Sequence, residues 1–139
     1  KASMVGMVTG TIAGLASITP ASASVNPMEA MLIGAIAGIL CQEMCGLIKL
    51  VLKIDDTLDV FAVHGVGGIF GIIMLAVLGH ADWVAQLGGI AVVGVFTIVV
   101  TYALLKIVAL AFPIRVSHED EITGLDLTAH GERAYDHTS

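Results

Sequence analysis

Four stretches of this chain are long enough to cross a lipid bilayer and almost free of charge. Residues 2–28, 60–81 and 83–105 contain no Asp, Glu, Lys or Arg, and residues 28–50 carry Glu43 in their interior. A bilayer core accepts a helix of about 20 apolar residues, because a helix pairs its own backbone N–H and C=O groups where no water can. The pattern therefore predicts four transmembrane helices, at about 3–19, 28–50, 59–79 and 84–112, the first stopped at Pro20 and the last at Pro113. The last is longer than a bilayer requires, so tilt or projection into the cytoplasm is expected. Charged residues make up 13% of the chain, against about 25% in a soluble domain. The expected fold class is an all-α polytopic membrane protein.

The few charges set an orientation. Lys1, Lys49, Lys53, Lys106 and Arg115 fall on or near one side, whereas the connections "SITPASASVNP" and "GHADWVAQ" have no Lys or Arg. Basic residues mark the cytoplasmic side, so the chain is expected to enter from the cytoplasm and to end there. After Val116 come six acids, including Asp136, and one base, Arg133, which sum to −5 of the formal −6. Residues 1–115 thus read as membrane helices and 116–139 as an acidic cytoplasmic tail. The chain has no initiator Met and no signal peptide, and reads as the later part of a longer protein.

Glycines recur at intervals of four: Gly6, Gly10 and Gly14; Gly34 and Gly38; Gly67 and Gly71. In lipid, small residues at this spacing allow close backbone contact between helices. Gly65 and Gly68 add to the third helix, and Gly65, Gly67, Gly68 and Gly71 are expected to serve packing. Among them sits His64, about 7.5 Å along the axis from Asp59 at 1.5 Å per residue. An ionisable group at that depth faces a cavity or the bundle interior, or else ties two helices together as a neutral hydrogen-bonding ring. Asp56 and Asp59, three apart before the helix, resemble a capping box against its positive end. Asp59 can also line a cytoplasmic vestibule.

Other polar residues are less informative. Glu43 lies two positions from both Cys41 and Cys45, about 200° round the helix, which argues against a Cys/Glu metal site; a polar contact with a further helix is expected. His118, His130 and His137 are widely spaced in the tail and read as solvated. His80 is expected at the outer membrane edge, beside Asp82 and Trp83. No phosphate loop, nucleophile elbow, metal-ligand spacing or basic nucleic-acid patch is present, so neither an enzyme, a cofactor nor a nucleic-acid partner is expected.

Three stretches, "IAGLASITPAS", "KIDDTLDVFAVHGVGGIFG" and "IRVSHEDEITGLDLTAHGERAY", resemble the carboxyl-terminal part of ammonium transporters of the Amt/Mep/Rh family, the Amt branch in particular. The similarity covers nearly the whole chain. It implies an eleven-helix fold assembled as a homotrimer in the plasma or cell inner membrane, with this chain as helices eight to eleven and the cytoplasmic tail. It implies ammonium as substrate, deprotonated so that ammonia passes through an apolar channel. His64 would be the second of two paired pore histidines, and Val60 a residue at the cytoplasmic constriction. Asp56 and Asp59 would stand at the inner mouth and engage the tail, and the tail would help to dock a PII-type regulatory protein. Ala62, Ala23 and above all Glu43 depart from the family pattern. An alternative is an ammonium sensor or regulatory membrane protein that signals through its tail.

Overall fold

A computed structural model describes residues 3–133; Lys1, Tyr135, Asp136 and His137, used in the sequence reading, lie outside them. Among the described residues the secondary structure is helical throughout. Residues Lys1–Val93 form one compact unit and Gly94–Ser139 a second.

In the first unit, α1 (Met4–Ile18) starts at Ser3, whose hydroxyl accepts from Gly6 N, and passes into a 3₁₀ turn at Thr19–Ala21. Pro20 is accommodated there because the first turn of a helix has no use for its missing N–H. The second helix, α2 (Pro27–Gly46), opens with a complete capping box. Asn26 Oδ1 accepts from Met28 N and Glu29 N, while Glu29 Oε2 accepts from Asn26 N at 2.8 Å. It continues as a π segment, Leu47–Val51. A second π segment, Phe61–Val66, leads into α3 (Gly67–Val77). The chain then turns through Gly79, at φ +80°, into α4 (Trp83–Ala111).

Three small clusters hold α1, α2 and the α3 segment together. Cys45, Ile48 and Ala62 form one; Ala13, Cys41 and Val63 the next; Ala21, Ile33, Met74 and Leu75 the third. The order of these residues makes α2 antiparallel to the other two. Ala and Gly dominate where α1 meets α3, so the approach is close and dispersion replaces the hydrophobic drive that lipid cannot supply. A Cβ on Gly71 would run into the Ser17 carbonyl and Pro20, and one on Gly67 would come within 2.8 Å of Ser17 Oγ.

The expected glycine packing is only partly realised. A Cβ on Gly14 would lie 3.8 Å from Gly34 Cα, but Gly10, Gly34, Gly38 and Gly68 would have nothing within 4 Å. Their spacing fits close helix contact, yet no helix among the described residues fills those faces.

Four membrane spans were expected. Met4–Ala21, Pro27–Val51 and Trp83–Ala111 are long and apolar enough, while the remaining apolar helix, Phe61–Val77, is shorter than these at 17 residues. Its ends are set locally, by the turn at Thr57–Asp59 before it and by Leu78 and Gly79 after it. α4 is apolar all round and has no buried residue, the pattern of a helix whose surroundings are lipid or other protein.

In the second unit, Arg115 grips Glu121 through two bonds, Nε–Oε1 at 2.6 Å and Nη2–Oε2 at 3.1 Å. Ser117 caps the short α5 (His118–Thr123) by accepting from Asp120 N. Gly124, at φ +102°, links it to α6 (Leu125–His130), and Gly131, at φ +69°, closes that helix in the left-handed region.

Candidate pore face

The segment carrying His64 is fixed first by its cap. Asp56 Oδ1 accepts from Val60 N at 2.8 Å and Oδ2 from Phe61 N at 3.0 Å. These are the amides a helix start leaves unpaired, and a carboxylate there also meets the positive end of the helix dipole. Asp59 takes no part in this cap, contrary to the sequence reading. It sits in the left-handed region at φ +56°, and its Oδ1 lies 2.8 Å from Lys49 Nζ. Lys49 also donates to the Thr57 carbonyl at 3.4 Å. The left-handed backbone turns the Asp59 side chain towards α2, so Asp56 alone is left to meet the first amides.

From that start the π segment divides its residues cleanly. Ala62 and Val63 are buried at 0% and 2% exposure, whereas Val60 and Phe61 are open at 52% and 60%. His64, one turn beyond Val60, is exposed on the same side and has no hydrogen-bond partner among the described residues. A Cβ on Gly65 would come within 3.0 Å of the Phe61 ring, so Gly65 accommodates that ring rather than a neighbouring helix. Gly67 and Gly71 seat the segment on α1, and Gly68 faces open space. The result is an apolar strip whose one polar group is an imidazole. A neutral imidazole offers one donor and one acceptor.

Asp59 opens elsewhere. With Lys49, Ser3, Gln42 and Cys45 it lines a cavity of about 320 Å³ between the start of α1 and the end of α2, and neither Val60 nor His64 lines it. Glu43 is exposed, away from the buried Cys41 and Cys45. It lines a larger groove, about 790 Å³, with Gly6, Gly10, Gly34 and Gly38. No group of three metal-ligating side chains occurs among the described residues.

Within the first unit, two ion pairs escaped the sequence reading: Lys49 with Asp59, and His80 with Glu29, where Nε2 lies 3.2 Å from both carboxylate oxygens. The Asn26–Pro27–Met28–Glu29 run is a visible helix-start signal; its reach to His80, 51 residues away, is not.

Apolar helices of this length, tied to one another by small residues, define a polytopic membrane protein. The chain belongs to the Ammonium Transporter Family, whose model it matches over residues 1–135. It is 39% identical over 151 aligned positions to an ammonium transporter of Bacillus subtilis, covering 97% of this chain and 37% of that protein. It is 37% identical over 149 positions to the ammonium transporter Amt1 of Archaeoglobus fulgidus, covering 97% and 38%. A putative ammonium transporter of Methanothermobacter thermautotrophicus is 34% identical, with 97% and 37% covered. The chain thus spans somewhat over a third of the length of the curated relatives it matches. No solved structure matches it significantly.

Proposed function

We propose that this chain is the carboxyl-terminal part of an ammonium transporter of the Amt branch, its helices eight to eleven and cytoplasmic tail, and that His64 lines the conducting pore. The observation that carries the reading is an exposed imidazole, without a partner among the described residues, on an otherwise apolar strip of a chain of this family. A bare cation on that strip loses its hydration at a cost of several kcal/mol; ammonia does not, and the ring can exchange a hydrogen bond with it. In the whole protein a second pore histidine pairs with His64, Val60 narrows the cytoplasmic side, and Asp56 fixes the inner mouth. Asp59, bound to Lys49, serves the mouth through that bridge.

The remaining parts of the reading follow from the same resemblance and from the basic residues. The protein is an integral membrane homotrimer with residues 116–139 in the cytoplasm, where a PII-type regulator docks. In the full-length protein, uptake of labelled methylammonium and ammonium-dependent current test the reading. His64→Ala is expected to change conduction or the discrimination against other cations; flux and selectivity both equal to wild type would sink the assignment.

A further inference from the structure

The two ion pairs have a common geometry. Glu29 and Lys49 both belong to the α2 segment, 20 positions and therefore about 30 Å apart. Their partners bracket the His64 helix: Asp59 just precedes Phe61–Val66, and His80 follows the end of α3 by three residues. One element thus holds both ends of another. The two ends differ in kind: one joins a lysine to a carboxylate, the other a carboxylate to a histidine, the side-chain type whose charge changes between about pH 5 and 8.

We propose that Glu29 and His80 are positioning residues, the titratable end of a two-ended tie by which α2 fixes the helix that carries His64. With the ring protonated the contact is an ion pair; with the ring neutral it falls to an ordinary hydrogen bond. Acidification tightens this end until Glu29 itself takes up a proton, and alkalinity loosens it.

Among the described residues, no further charged side chain pairs with Glu29 or His80. Asp82, on the connection to α4, is occupied in accepting from Ala85 N. The 19–26 connection packed against this corner carries no titratable side chain, and nor does α3. Glu29 is held in place by Asn26 N whether or not His80 is charged, so protonation changes the strength of the contact and not its location. That this end faces outward, and senses external pH, rests on the orientation in the proposed function.

The test uses full-length protein in lipid vesicles, with amide exchange at residues 78–82 corrected for the intrinsic effect of pH. Wild type should show roughly two- to fivefold greater protection at pH 5.5 than at pH 8, the scale of a half-exposed pair. His80→Gln and Glu29→Gln should each abolish that difference, and the exchanged pair Glu29→His with His80→Glu should restore it. The pH profile of methylammonium uptake should flatten and recover in the same order. A pH response surviving in either single variant, or absent from the exchanged pair, overturns the proposal. Wild type without uptake but with the exchange pattern overturns the transport reading alone.

Discussion

Gly71 of α3 and Ser17 of α1 meet backbone to backbone, so closely that a single methyl group on Gly71 would overlap the Ser17 carbonyl. A carbonyl cannot rotate away as a hydroxyl can. Gly71→Ala should therefore separate the two helices and destabilise the full-length protein by 1–3 kcal/mol or more. Gly67→Ala meets the Ser17 hydroxyl, which can turn aside, and should cost about 1 kcal/mol or less. Thermal unfolding of the two variants in detergent ranks them; equal stability would refute the backbone contact.

Among the described residues, Asp56 is the only side chain that satisfies Val60 N and Phe61 N. Asp56→Ala should cost about 1 kcal/mol, the usual loss for a helix cap, and speed exchange at those two amides. Asp56→Asn keeps one acceptor and should lose about half as much. Faster exchange spread evenly along α3 would argue against a local cap.

Lys49 and Asp59 should show coupling in a double-mutant cycle. Their side chains are 37% and 18% exposed, so solvent screens the pair and the coupling should be small but measurable. Lys49→Met alone should cost more than Lys49→Met combined with Asp59→Asn, because it leaves a carboxylate without its cation. Additive losses would show that the two groups do not depend on each other.

The six-residue α5 is too short to persist on propensity alone. Its start depends on Ser117 and on the Arg115–Glu121 fork. Ser117→Ala should cost about 1 kcal/mol locally and raise exchange at Asp120 N, with residues 61–77 unaffected. Since Arg115 and Glu121 are 69% and 32% exposed, raising salt should weaken the same turn in the wild type.

What could be read beforehand was whatever a local pattern dictates. Uninterrupted apolar runs between Pro20, Asp59 and Pro113 announce helices without help from tertiary structure, and the carboxylate of Asp56 before an apolar run announces a cap. The role of Asp59 was not readable, because a left-handed backbone redirects its side chain and spacing does not reveal φ. The four-residue glycine spacing predicted contact at Gly14 and at Gly38 alike. Only the first has a helix beside it, since spacing says that a face is smooth and not which element lies on it. Long-range pairs such as Glu29 with His80 depend on how α2 and α3 align, which no single segment encodes. The short tail helices escaped notice because acid-rich composition masked the Ser117-x-x-Asp120 cap.

The wide turn at Phe61–Val66 fixes something that substitution experiments would miss. A π turn holds about one residue more than an α turn, so deleting one residue there would let the helix close to ordinary α geometry. Seven steps of the wide turn and six of an α-helix turn the chain through nearly the same angle, so the residues ahead of the deletion would keep their direction relative to Gly67 to within about 30°. The same deletion inside α3 would instead swing everything ahead of it by about 100°. A one-residue deletion should therefore be far milder in the wide turn than in the helix that follows.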